Sequence, residues 1–362
     1  MIGRTLFAYF FRRYLVITAQ FFLGVVVISF LVDFTEFSRR VGSFPEYTVG
    51  AGMLVSALRI PLIIQTAIPF IILFAAMSTL MSLNRKYELV IARSAGLSAW
   101  QFLAPLCLAS FLIGTVAITG LNTVAATALS YAEEVEASFS GKARGAPAGQ
   151  ALPWLRQRTD DGVTIIGAKK SAQRGRVLAQ ATFIRFDRNG SIAERIDAKR
   201  AVLTKGAWVL QQVQRLDAKG HRSERPRMVI KTDLQPDFVE EQFARPETIP
   251  LFELGGKIDS ARSFGLSANP FAMQYHSLLA LPFLLVAMTL IAATVSMRFA
   301  RLGQSAPMIL GGVGAGFLLY GTTVLVKAFG SSGFVPPLVA AWLPVVVAAF
   351  FGVTFLLHKE DG

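Results

Sequence analysis

Residues 60–83 read IPLIIQTAIPFIILFAAMSTLMSL, a run without a single charged side chain. A bilayer core of ~30 Å takes about 20 apolar residues as helix, so this run is long enough to cross. Within lipid the backbone must satisfy its own hydrogen bonds, which makes helix the expected form. The same kind of run recurs on both sides of it. No charge falls between Tyr14 and Asp33 or from Phe102 to Leu121, and none from Phe271 to Met297, Met308 to Val326 or Leu338 to Leu357. Three runs therefore precede a polar block, roughly Asn122 to Asn269, and three follow it. Composition agrees, with 53% hydrophobic and 16% charged residues. The chain is predicted to be an α-helical membrane protein with six transmembrane helices and an inserted all-β domain. The predicted parts are 1–121, 122–269 and 270–362.

Basic residues in the short loops set orientation. Arg4, Arg12 and Arg13 precede the first run. Arg85, Lys86 and Arg93 lie between the second and third, Arg298 and Arg301 between the fourth and fifth, and Lys359 after the sixth. The opposite loops carry only Arg39, Arg40, Arg59 and Lys327. Both termini are expected in the cytoplasm and the polar block outside it. The first run is expected to be a retained span and not a cleaved leader, being too long and lacking a small-residue cleavage site. A net charge of +13 would suit nucleic acid, but its spread over membrane-flanking loops and a translocated domain, and not along one helix or groove, argues against that. An anionic lipid surface is the better match. The lone cysteine, Cys107, lies inside the third run, so neither a disulfide framework nor a thiolate metal site is expected. A block of roughly 150 residues can bury a core without one.

Inside the block, Val163–Ile166, Ala181–Phe186 and Ala207–Leu210 are β-prone segments. Asn189-Gly190 is a strong hairpin signal, and Lys205-Gly206 and Lys219-Gly220 mark further turns. Short strands at this spacing predict a sandwich or jelly roll. Before them, Ala125–Phe139 reads as a helix continuing out of the third span, and Gly141–Gly149 as a connector. No catalytic constellation appears. His221 stands alone in a basic turn, and the acidic residues are scattered without metal-ligand spacing. The block reads as a binding or scaffolding module, with no cofactor and no metal.

The span interiors hold no ionisable residue of the kind ion-coupled carriers use; Gln65, Asn84 and His276 come nearest and read as packing or interface residues. No phosphate-binding loop occurs, since Gly255-Gly256-Lys257 lacks the first glycine and the hydroxyl residue. If ATP drives this protein, another subunit hydrolyses it. Such a subunit needs a handle, and Tyr87-Glu88-Leu89-Val90-Ile91-Ala92-Arg93-Ser94-Ala95-Gly96 reads as a short amphipathic helix closed by Gly96, with Glu88 suited to its N-terminus. A helix lying on the lipid surface is the alternative. In the fifth span, Gly312 and Gly316 form a Gly-x-x-x-Gly that admits close approach of a helix from the same chain or another.

Over nearly its whole length the chain resembles the LptF/LptG lipopolysaccharide export permeases. The segment Arg85–Gly96 resembles that family's cytoplasmic helix. The strand pair around Ala198–Ala201 and Gly206–Leu210 resembles its periplasmic β-jellyroll. Leu31-Val32-Asp33, Arg39-Arg40-Val41-Gly42 and Gly50–Met53 are most similar to the first loop of the LptG branch, and Val335-Pro336-Pro337 with Ala341–Pro344 to its last span. The resemblance implies an inner-membrane permease without its own ATPase activity. It implies pairing with an LptF-like chain, two LptB-like ATPase subunits and an LptC-like protein. It casts Glu88, Leu89, Arg93 and Gly96 as the ATPase-coupling helix and Arg39 and Arg40 as contacts for lipopolysaccharide phosphates. Spans one and five would be lateral gates. A membrane-anchored assembly or lipid-binding protein that transports nothing is the competing reading.

Overall fold

The computed structural model describes residues 3–42, 47–139, 155–159, 162–172, 176–187, 191–204, 206–218, 220–232, 245–263, 267–296 and 306–360. It divides into two compact units. One, helical, comprises 1–40, 49–132 and 246–362; the other comprises 41–48 and 133–245. The β unit therefore takes a shorter stretch than the polar block 122–269, because the helical segments at both ends of that block pack with the membrane helices.

The helical unit holds α1 (Arg4–Val41), α2 (Val49–Arg85), α3 (Glu88–Ser94) and α4 (Ala99–Val116). A π-helical turn (Ala117–Leu121) joins α4 to α5 (Asn122–Phe139). After the β unit come α6 (Leu251–Ser263), α7 (Asn269–Ser296), α8 (Ala306–Ser332) and α9 (Pro337–Glu360). Six helices are long and apolar enough to cross a membrane, and the third runs unbroken from Ala99 to Glu136. The predicted extension of span three past Leu121 is thus present. The helix α6 was not foreseen. Its first N–H, at Leu251, donates to the buried Asn122 Oδ1 at 2.9 Å, which ties its start to α5.

α7 is the centre of the bundle and packs against α2, α4, α8 and α9. Its prolonged apolar sequence suits burial on all sides. α4 comes so close to it that a Cβ on Gly114 would lie 2.5 Å from the Pro282 Cα. Pro282, like Pro61 and Pro69 in α2, sits inside its helix without ending it. By contrast, only 6% of the apolar stretch of α1 and 17% of that of α8 is buried, against 61% for α7.

The β unit contains β1 (Leu155–Thr159), β2 (Gly162–Ala172), β3 (Val177–Phe186), β4 (Ile192–Thr204), β5 (Ala207–Asp217) and β6 (Arg222–Lys231). They form one antiparallel sheet in chain order. The hairpin at Asn189-Gly190 exists: the Asp187 N–H donates to the Ser191 carbonyl at 2.9 Å, while Asn189 and Gly190 themselves lie outside the described residues. Gly206 (φ +80°) and Gly220 (φ +81°) supply the left-handed positions at the next two turns. The connector Gly141–Gly149 also lies outside the described residues.

The inserted all-β domain is present: its described strands form a meander in chain order, and a fold across that sheet produces two layers. Buried positions alternate along each strand and then skip: Leu178 to Ala181 in β3, Ala198 to Ala201 in β4, Leu210 to Val213 in β5. At each skip one residue drops out of the pairing, so that Lys169, Gln180, Lys199, Gln212 and Pro226 form a line across β2 to β6. Gln180 and Gln212 have φ 52°, which a glutamine rarely adopts. Register pairs Phe183 with Ile196 and Ile196 with Arg215, seven residues along β5 from Trp208. On a flat sheet that is about 23 Å at ~3.3 Å per residue. Yet the rings of Phe183 and Trp208 meet edge-on with centroids 5.8 Å apart. The sheet is folded at the line, and its two halves enclose Phe183, Ile196, Trp208 and Leu210, all at 0% exposure. Because β3, β4 and β5 skip at the same level, the apolar side stays on the inside across the fold.

Candidate functional site

α3 stands between α2 and α4 as a separately closed helix. The chain leaves α2 through Tyr87 in the left-handed region (φ 57°), with its N–H on the Asn84 carbonyl at 2.9 Å. At the other end Gly96 (φ +83°) makes a Schellman closure: its N–H donates to the Arg93 carbonyl and that of Leu97 to the Ala92 carbonyl. Two residues on, Ser98 and Gln101 form a reciprocal capping box that starts α4. Helix, stop and restart are therefore all locally specified, and Gly96 has the terminating role predicted for it.

The two faces of α3 differ. Leu89 is 7% exposed and turns inward with Ala92, packing against its own chain. Burial of that side leaves Tyr87, Val90 and Ile91 outward, with Arg93 exposed beside them. Three apolar side chains and a cation thus make the accessible surface.

Glu88 is held by its own chain. Its carboxylate accepts from Arg13 Nη1 at 2.8 and 3.0 Å and from the Tyr9 hydroxyl at 3.0 Å. Arg13 Nη2 also donates to Ser82 Oγ at 2.8 Å. Four side chains from α1, α2 and α3 close into one cluster. With side-chain exposures of 15% for Arg13 and 28% for Glu88, this pair is better shielded than an ordinary surface ion pair. Sequence reading missed Tyr9, Arg13 and Ser82 in this role. Arg13 counted only as an orientation signal, and no local pattern links residues 75 positions apart.

Arg39 and Arg40 lie in the last turn of α1, where the helix dipole favours cations. Arg39 donates to the exposed Glu36 at 2.7 Å. Arg40 lies over the buried Phe37 ring at 5.8 Å, and Arg59 of α2 lies over the same ring at 5.0 Å. Arg59 also faces Asp33 at 4.0 Å. Arg40 and Arg59 thus share the Phe37 ring as a platform.

Gly312 and Gly316 meet α2 of the same chain. A Cβ on Gly312 would reach the Met77 thioether at 2.7–2.8 Å, and one on Gly316 would collide with Leu73. The small-residue pair that left the packing partner open is therefore used internally. A shallow apolar groove remains on the other side of α8, lined by Gly314, Phe317, Leu318, Gly321 and Leu325.

Six helices long and apolar enough to cross a membrane, an inserted β unit and a short helix between spans two and three define a multi-pass membrane protein. Residues 8–358 match the family described as lipopolysaccharide export system permease LptF/LptG, and the chain belongs to that family. No curated protein matches it individually.

Proposed function

We infer that this chain is one permease half of an ATP-driven lipopolysaccharide exporter in the bacterial inner membrane, of the LptG type. Both termini and α3 lie in the cytoplasm and the β unit in the periplasm. An LptF-like chain is its partner, two LptB-like subunits hydrolyse ATP beneath the pair, and an LptC-like protein receives the lipid.

The observation that carries this reading is α3, a helix set off from α2 by the left-handed Tyr87 and closed at its C-terminus by Gly96, whose outward residues Tyr87, Val90 and Ile91 are 70%, 45% and 65% exposed. A helix built to be rigid and left apolar on its open side is suited to seating in a partner's groove. The sparse burial of α1 and α8 supports a second permease alongside these two spans. Arg39 and Arg40, exposed at one end of α1, suit bidentate contact with lipid phosphates.

Purification from native membranes in mild detergent, with mass spectrometry of proteins and lipids, tests the reading. An ATPase, a second six-span permease and bound lipopolysaccharide are expected together. A chain that arrives alone, or with another lipid and no ATPase, would instead mark a membrane-anchored assembly or lipid-binding protein.

A further inference from the structure

We propose that Arg13 is a positioning residue that makes α3 and the first turns of α1 move as one body, so that displacement of α3 is delivered to span one. The proposal rests on the reading of α3 as the ATPase-coupling helix. It adds to what Glu88 does: its carboxylate also holds α1.

Two adjacent residues of α1 carry the argument. Arg13 reaches Glu88 on α3 and Ser82 on α2. Tyr14, about 100° further round the helix, is fully buried, and its hydroxyl lies 2.8 Å from Ser110 Oγ of α4. Ser110 in turn lies 2.7 Å from Thr289 Oγ1 of the central helix α7. One residue is therefore joined to the small mobile-sized element α3 and the next to the core of the bundle.

Beyond this point α1 is lightly held. Leu23, Val27, Ile28, Leu31 and Val32 are all more than half exposed. Phe21 stacks on Phe74 at 6.5 Å, and Arg59 lies near Asp33 and Phe37 further along. The helix is clamped at Arg13, seated on a hydroxyl at Tyr14, exposed from Leu23 to Val32 and buried again at Phe37 and Val41, so motion imposed at Arg13 is carried along a span held mainly at its two ends. Among the described side-chain hydrogen bonds, α1 reaches α3 through Arg13 and Tyr9, both on the Glu88 carboxylate, and Arg13 alone of the two also reaches α2. Nη1 is shared by both Glu88 carboxylate oxygens while Nη2 is held by Ser82 Oγ, so the two arms of the guanidinium are fixed on two different helices.

Spin labels in a Cys107→Ser background test this in the complex with its ATPase. One pair joins Ser94→Cys on α3 to Val16→Cys on α1; a second joins Ile28→Cys on α1 to Phe350→Cys on α9. In the parent, the α3–α1 distance is expected to stay narrow through the nucleotide cycle while the α1–α9 distance shifts. In Arg13→Ala, the α3–α1 distribution is expected to broaden and the α1–α9 shift to disappear, with lipopolysaccharide release falling about tenfold although the ATPase still copurifies. The reversed pair Arg13→Glu with Glu88→Arg is expected to restore both distances. An Arg13→Ala protein with parental distances and parental release overturns the proposal. If the parent itself brings down no ATPase, the coupling-helix reading fails, and the tether is then decided without nucleotide. An α3–α1 distribution unchanged by Arg13→Ala refutes it there, and a broadened one supports it.

Discussion

Ser110 on α4 and Thr289 on α7 face each other with their hydroxyl oxygens 2.7 Å apart, both at 0% exposure. With the Tyr14 hydroxyl they form a thread of three hydroxyls joining α1, α4 and α7. Thr289 Oγ1 also donates to its own Leu285 carbonyl at 3.0 Å, so the thread ends on a satisfied backbone group. Inside a membrane bundle such a bond contributes about 0.6–1.7 kcal/mol. Thr289→Val keeps the shape of the side chain and removes the hydroxyl. We expect it to lower unfolding stability in detergent by about 1 kcal/mol, and to leave Tyr14→Phe with little further effect. Additive losses in the double variant would show that the thread does not act as a unit.

The line of skipped residues makes a different kind of prediction. Gln212 sits at φ 52° in mid-strand, where side-chain-bearing residues are disfavoured by about 1–2 kcal/mol. Gln212→Val, β-branched, is expected to destabilise the β unit by about 2 kcal/mol, and Gln212→Gly is expected not to destabilise it at all. Thermal unfolding of both variants checks this. Equal losses would mean that the glutamine side chain, not the backbone, is what the position requires.

Glu194 in β4 has a side chain only 6% exposed and is held by Arg185 at 2.6 Å and by Arg215. Glu194→Ala would leave two guanidinium groups beside each other without their anion. We expect a loss of about 2–3 kcal/mol, partly recovered when Arg215 is replaced by Met in the same chain. A double variant no more stable than the single one would refute the repulsion account.

Gly316 faces Leu73 too closely for any side chain. Gly316→Leu is expected to separate α8 from α2 and cut the yield of folded protein severely, while Gly314→Leu, where a Cβ meets nothing within 4 Å of the same chain, is expected to fold. If Gly314→Leu folds but no longer retains a second permease, the outer groove of α8 is the subunit contact. Retention of the partner would locate that contact elsewhere.

Replacing Arg39 and Arg40 together with alanine is expected to weaken lipopolysaccharide binding by about tenfold at low salt, with the difference narrowing toward 0.5 M salt as screening takes over. Filter binding or thermal-shift titration with purified lipopolysaccharide measures it. A difference that does not change with salt would remove the phosphate-contact assignment.

The sequence by itself determined the six spans, because a run without charge has only one stable way through a bilayer. It also determined the stops around α3, since Gly96 and the Ser98–Gln101 box act within a few residues. Turns at Gly206 and Gly220 and the hairpin at Asp187–Ser191 were legible for the same local reason. In a seven-residue helix the apolar residues do not mark a face, and only packing turned Leu89 inward and left Ile91 outward. The breaks in alternation after Leu178, Ala198 and Leu210 are visible along the chain, but only register aligns them, and only the meeting of Phe183 with Trp208 shows the sheet folded there. The two glycines of α8 announce a close neighbour; tertiary structure alone decided that Leu73 and Met77 are that neighbour. Arg13 and Glu88 are joined by charge and distance across 75 residues, and no pattern of spacing carries such a bond. Local backbone chemistry acts over a few residues and can be read in order, whereas pairing across the fold depends on which surfaces are left when the helices and strands have packed.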